Sequence, residues 1–239
     1  MEKHEGPLIK DYYGSIYKYI NRELDFRRYK KEMAMELEGL IGREDRILDI
    51  GCGAGYILKH LEEEGYSGLY GVEADARQCE EARKTLSSAR ITNTGALEYL
   101  RGETSAYDAI LMIDLIEHLG KKDITELLSL ALARLKEGGN LIIRTNNADS
   151  PLFSGRMRYL DFTHEVAFNE ESMKMVLKDA GFTRIRCRAA GTCIMGPQDI
   201  IKLLVRVSFE TVIRIYLRSY DPSAFSIIMT PNFVTVAER

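Results

Sequence analysis

Residues 46–56 read Arg-Ile-Leu-Asp49-Ile50-Gly51-Cys52-Gly53-Ala54-Gly55-Tyr56, an apolar run that breaks on glycines at alternate positions. A helix-like stretch, YILKHLEEEG, follows at once. Alternating glycines let the backbone turn tightly and let a ligand approach main-chain amides that a Cβ would shield. Strand, glycine loop and helix in this order make a ligand-binding turn of an open α/β sheet. A dinucleotide fingerprint would put its third glycine where Tyr56 stands, so this loop follows a different pattern.

Working outward, short apolar runs alternate with helical periodicity. LYGVE precedes ARQCEEARKTL; DAILMI precedes ITELLSLALARLKEGG; NLIIRTN follows. That rhythm predicts a mostly parallel sheet covered on both faces, and a continuous apolar strand such as AILMI fits it. NEESMKMVLKDAGF predicts a further helix with Asn169 as N-cap and Gly181 as its stop,. RIRCRA and FVTVAE predict two more strands. Upstream, residues 8–40 predict one or two helices carrying Tyr12, Tyr13, Tyr17 and Tyr19, then a basic cluster of Arg27, Arg28, Lys30 and Lys31. Such a charge run reads most simply as a solvated helix face.

With 239 residues, 45% of them hydrophobic, the chain builds one sizeable core but not two comfortable domains,. Its 33 Lys+Arg against 36 Asp+Glu leave a net charge of -3, which argues against general nucleic-acid binding. Cys52, Cys79, Cys187 and Cys193 form no CxxC pair and no zinc-like spacing, and the opening MEKHEGPLIKDYYGS has no apolar signal core,. The expectation is a reduced, cytoplasmic protein.

The pattern DxGxGxG at Asp49–Gly55 resembles motif I of class I S-adenosylmethionine methyltransferases. Gly71-Val72-Glu73 at the end of the second strand, Asp108 opening the fourth, and the loop Lys136-Glu137-Gly138-Gly139-Asn140 before the fifth extend the resemblance over about residues 40–185. It implies a Rossmann-like sheet of seven strands, six parallel and the last antiparallel, with helices on both faces. It also implies S-adenosylmethionine as cofactor and S-adenosylhomocysteine as product. Asp49 would lie near the methionine ammonium; Gly51, Gly53 and Gly55 would pass the loop beneath the methionine and ribose; Glu73 would hold the ribose hydroxyls, and Asp114 would line the same site. The family often has a Gly-Asp pair for the adenine amino group. Here the pair is Gly95-Ala96, so the adenine contact falls to backbone groups, Glu98 or another residue.

Methyl transfer to an unactivated hydroxyl requires a positioned nucleophile and a base or metal. Two stretches supply candidates near the carboxyl end of the sheet. Asp114-Leu-Ile-Glu117-His118 follows the fourth strand. Arg156-Met-Arg158-Tyr-Leu-Asp161-Phe-Thr-His164-Glu165 follows the fifth. His164, oriented by Asp161 or Glu165, is the first candidate base, with His118 and Glu117 as alternatives. A backbone-bonded loop histidine is the plain alternative for His164. Tyr13, Arg156, Arg158 and Asp161 are the acceptor-binding candidates; the arginines would suit a phosphate or carboxylate. Asp114, Glu117, His118 and His164 also form a disfavoured divalent-metal set. Their spacing resembles the metal-binding segment of ubiquinone-biosynthesis O-methyltransferases and small-RNA 2′-O-methyltransferases, except that Asp114 replaces the usual Glu.

LDFTHEVAFNEESMKMVLKDAGF and the ending TPNFVTVAER resemble methyltransferases of surface-polysaccharide gene clusters. The function so implied is O-methylation of a sugar hydroxyl on a cell-surface glycan or its nucleotide- or lipid-linked precursor. The alternatives are a metal-assisted O-methyltransferase of a quinone-like or phenolic lipid, a small-RNA enzyme, and a catalytically silent methyltransferase-like partner subunit. The expected organisation is a helical cap over residues 1–40 and a methyltransferase domain over 41–239.

That domain carries a helical insertion at about 197–230. Within it, Pro197–Arg218 sets Lys202, Arg206, Glu210, Arg214 and Arg218 at intervals of four, a mainly basic stripe on an otherwise apolar helix,. Pro197 suits its first turn and Asp221-Pro222 its stop. Its charges rule out a spanning helix. Docking on its own domain, homodimerisation through 198–218, contact with the inner membrane surface, and a lid over the acceptor all remain open.

Overall fold

The computed structural model describes residues 26–220, 222 and 226–239. In chain order the elements are α1 (Phe26–Leu37), β1 (Arg46–Ile50), α2 (Tyr56–Glu63), β2 (Gly68–Glu73), α3 (Ala76–Thr85), β3 (Arg90–Asn93), α4 (Ala96–Gly102) and β4 (Tyr107–Ile113). A 3-10 turn at Ile116–His118 leads to α5 (Lys121–Arg134), β5 (Leu135–Asn146), α6 (Phe153–Leu160), α7 (Glu170–Ala180), β6 (Thr183–Ala189), α8 (Pro197–Arg218) and β7 (Asn232–Glu238).

The seven strands form one sheet in the order β3-β2-β1-β4-β5-β7-β6. β1 to β5 pair in parallel, and β7 runs antiparallel to both β5 and β6. The Rossmann-like sheet with one antiparallel strand is therefore as expected. The strands bury both faces. Leu48, Ile110, Met112 and Ile143 pack with α5 and α7 through Leu127, Leu128, Met173 and Leu177. On the other face Ile47, Leu111 and Ile142 pack with α1 and α2 through Met33, Leu37, Leu58 and Leu61. Each such side chain fully removed from water contributes about 1.5–3 kcal/mol.

Local signals set the helix ends. Asp75 caps α3 by accepting from the amides of Arg77 and Gln78. Asn169 and Ser172 form a reciprocal capping box on α7, which stops at left-handed Gly181,. Pro197 sits at the start of α8. One boundary differs from expectation: Lys136–Asn140, read as a loop, continues β5 as an irregular segment, with the register to β4 shifting between Tyr107 and Ala109. Gly138 there takes φ +74°. The expectations for residues 1–25, Tyr13 included, and the Asp221 stop lie outside the described residues, while the helix expected up to residue 40 is present as α1.

Candidate active site

The parallel strands all end on one edge, and the loops that follow them enclose a cavity of about 340 Å³. Asp49, Gly51 and Gly53 line it together with Asp114, Glu117, His118, Asp161 and His164. The two sequence stretches singled out for chemistry are thus brought to one place, which is where open α/β folds bind ligands.

The glycine loop is held by its backbone. The amides of Gly51 and Cys52 donate to the Val72 carbonyl at 2.8 and 3.0 Å. Gly51, Gly53 and Gly55 all take left-handed φ values, +76°, +56° and +80°, which disfavour a residue with a Cβ. Glu73, at the end of β2, accepts from the Gly53 amide at 2.9 Å and from the Asp75 amide at 2.7 Å. It lies on the same sheet edge but outside the cavity lining, as does Gly55. The latter's missing Cβ makes room for Leu86 and Ala82.

Asp49 is buried, and its Oδ2 has no hydrogen-bond partner. Burial, with the Glu73 charge adding to it, pushes its carboxyl up to about 7,. A buried carboxylate oxygen beside an open glycine loop is unstable alone and is matched by a cationic ligand group. The loop and Asp49 therefore fit the amino-acid end of S-adenosylmethionine. Glu73 keeps acceptor capacity beyond its two amide bonds.

Two histidines of the lining stand edge to face, ring centroids 4.6 Å apart. Thr163 Oγ1 donates to Asp161 Oδ1 at 2.7 Å, so at the 2.8 Å contact with His118 the Nδ1–H is the donor,. His118 is then the tautomer whose Nε2 is basic. Burial and the neighbouring His164 hold its pKa below the ordinary imidazole value. His164 Nδ1 lies 2.8 Å from the Met157 carbonyl, which can only accept, so its Nε2 is basic as well.

This corrects one expectation. The Asp161 carboxylate reaches His118 through Thr163, while only its carbonyl accepts from the His164 amide, at 3.2 Å; Glu165 is exposed and bonds through its amide to the Glu117 carbonyl. Glu117 is buried and accepts from Thr145 Oγ1 at 2.9 Å and Asn146 Nδ2 at 3.2 Å. Burial, with nearby Asp114 adding, raises its pKa.

Glu117, His118 and His164 each place one ligand atom within 4.8 Å of the others. Asp114, the fourth member of the metal set, is not part of that group. It sits at φ +52° at the end of β4 with its carboxylate 3.7 Å from Arg144. Arg156 is exposed, and Arg158 reaches the Glu165 carbonyl at 3.4 Å and lines a small neighbouring cleft rather than the main cavity. The sequence reading missed Tyr29, Arg144, Asn146 and Asn232 in the cavity lining, and Thr163 behind it. Arg144 is a buried cation, 5.7 Å from the Tyr29 ring centroid. Its signal was present, since a charge inside NLIIRTN interrupts an apolar strand.

A family model described as a methyltransferase domain matches residues 20–186, well over half of the chain. The chain belongs to the methyltransferase-domain family. A tRNA U34 carboxymethyltransferase of Haemophilus influenzae is 26% identical over 164 residues, 64% of this chain and 49% of that protein. A ubiquinone biosynthesis O-methyltransferase of Methylocella silvestris is 30% identical over 114 residues, 46% of this chain and 41% of that protein. The chain thus spans about half the length, or less, of these curated relatives. A SAM-dependent methyltransferase from Archaeoglobus fulgidus superposes with a TM-score of 0.73 at 22% identity, covering 95% of this chain and 100% of that one. The methyltransferase-domain fold is the class I form, whose cofactor is S-adenosylmethionine.

Proposed function

We propose that this methyltransferase catalyses S-adenosylmethionine-dependent O-methylation of a sugar hydroxyl, on a cell-surface glycan or its nucleotide- or lipid-linked precursor. The observation that carries the reading is the His118–Thr163–Asp161 chain of hydrogen bonds. A sugar hydroxyl is a weak acid and gains from a fixed base, whereas a phenol needs little help.

When bound, S-adenosylmethionine supplies a methyl carbon activated by its sulfonium sulfur. Asp49 holds the ammonium of the methionine moiety and Glu73 the ribose. His118 takes the proton of the acceptor hydroxyl on Nε2, while Thr163 and Asp161 stabilise the imidazolium on its far side. This assigns the base to His118 rather than to His164, because only His118 leads to a carboxylate. His164 and Glu117 orient the acceptor oxygen. The 1–40 segment and the 197–230 region are additions to the methyltransferase domain in this reading.

Asp49 gives a pH test. With its pKa near 7 in the free protein, an ammonium binds the ionised form and displaces a proton. Affinity for S-adenosylhomocysteine is expected to rise as pH increases from about 6 to 8. Asp49→Asn should weaken binding by about tenfold or more and flatten that dependence. Calorimetric titration at several pH values checks both, and an unchanged slope in the variant would remove Asp49 from the ammonium site.

A second reading is favoured by the convergence of Glu117, His118 and His164. Both Nδ1 atoms are tied by outer partners, as metal-bound histidines usually are. A divalent ion there would serve a quinone-like or phenolic lipid acceptor. The deciding experiment transfers labelled methyl from S-adenosylmethionine into lipid, sugar-nucleotide, polysaccharide and RNA fractions of the source organism, with and without a chelator. Chelator-resistant label released as a methylated monosaccharide is expected. Chelator-sensitive label in a non-sugar lipid establishes the second reading, and label in RNA overturns both.

A further inference from the structure

The polarity of α8 is turned inside out. Ile201, Leu204, Val205, Val212, Ile215 and Tyr216 lie between 61 and 65% exposed and share one face along the helix,. The middle of the charged stripe, Arg206, Glu210 and Arg214, faces the protein instead. Arg206 donates to Thr192 Oγ1 at 2.9 Å and Arg214 to the Ile227 carbonyl at 3.0 Å. Glu210 sits between them, 3.5 Å from Arg206 and 4.0 Å from Arg214. At the other end, Arg28 of α1 donates from Nη2 to both carboxylate oxygens of buried Asp199, at 2.8 and 2.9 Å. Both acids of the helix are therefore turned inward and paired.

The charges left exposed beside the apolar face are cations. Lys202, its side chain 74% exposed and its ammonium 3.7 Å from Asp199, and Arg218, also exposed, stand on the helix itself. Arg27 and Lys31 of α1 are exposed beside Arg28, which is bonded to the start of α8. Tyr216 and Tyr220 stack edge to face at the helix's far end, 61 and 77% exposed. An apolar face about 22 Å long, rimmed by cations and closed by tyrosines, has the chemistry of the lipid–water interface.

We propose that α8 seats the protein on the surface of an anionic phospholipid bilayer, its apolar face among the acyl chains and its cations at the headgroups. None of the described helices is long and apolar enough to cross a membrane, so the helix lies in the interface. A second copy of the chain fits this face less well. Antiparallel pairing would set Lys202 against Arg218, and parallel pairing would set Lys202 against Lys202, with no exposed acid on the helix to offset either repulsion. Bilayer docking requires neither acceptor reading to be correct.

Sedimentation of the full chain with vesicles tests it. Strong binding to phosphatidylglycerol vesicles is expected, weakened by salt and about tenfold or more weaker on pure phosphatidylcholine. Leu204→Glu with Val212→Glu should lower binding about a hundredfold or more with an unchanged melting curve and unchanged S-adenosylhomocysteine affinity. Lys202→Glu with Arg218→Glu should bring phosphatidylglycerol binding down to the phosphatidylcholine level. Failure of the native chain to sediment with phosphatidylglycerol overturns the proposal. So does equal binding by a folded Leu204→Glu/Val212→Glu variant, or a lipid-free dimer that this variant dissociates.

Discussion

His118→Ala is expected to lower kcat for hydroxyl methylation by about 10²–10⁴-fold while S-adenosylhomocysteine affinity stays within about twofold. The imidazole makes its hydrogen bond to Thr163, not to the glycine loop, so in the proposed mechanism its loss removes the base and spares the cofactor seat. Thr163→Val cuts the link between Nδ1 and Asp161 without touching the cavity volume. It should cost about 10–100-fold in kcat, with Thr163→Ser restoring most of it.

Because the folded environment holds the His118 pKa below the ordinary imidazole value, the rate should rise with pH only on the acid side and be flat near neutrality. A stability effect alone would shift the melting curve and leave the pH profile in place. A His118→Ala enzyme within a few-fold of the native rate on a sugar acceptor would sink the base assignment.

Gly51→Val should raise the dissociation constant for S-adenosylhomocysteine about a hundredfold or more and destabilise the fold by roughly 2–4 kcal/mol. Two independent costs meet at this position. The residue holds φ +76°, a region that a β-branched side chain strongly disfavours. A Cβ there would also approach Leu115 Cδ1 to 2.9 Å, beneath the loop that carries Glu117 and His118. The damage should therefore reach both loops that line the cavity. Calorimetric titration and thermal melting read the two effects separately; native-like binding by the valine variant would detach the loop from the cofactor.

The fold was legible where local signals are strong. The apolar runs at 47–50 and 109–113, the glycines between β1 and α2, and the caps at Asn169 and Gly181 each act within a few residues of chain. The site was legible only in part. Glu117, His118 and His164 are visible as residue types, but the partner of His118 lies 45 positions downstream. No periodicity reveals that a threonine rather than the histidine itself receives Asp161. Tyr29 reaches the cavity from α1, and Arg144 from inside a strand whose apolar neighbours set the reading. The stripe on α8 was plain in sequence, yet its spacing is the same whether the charges face water or protein. Only the contacts to Thr192 and the Ile227 carbonyl decide its direction.

The sheet order also bears on how the chain is made. β7 lies between β5 and β6, although β6 is synthesised earlier and all of α8 intervenes. On the ribosome, therefore, β6 emerges with its neighbour in the sheet still unwritten, and β5 shows an open edge while α8 is already outside. Unpaired edges beside an apolar helix invite wrong partners. Between the synthesis of residue 189 and that of residue 238 the nascent chain carries both edges open, and β7 is the bolt that closes them,.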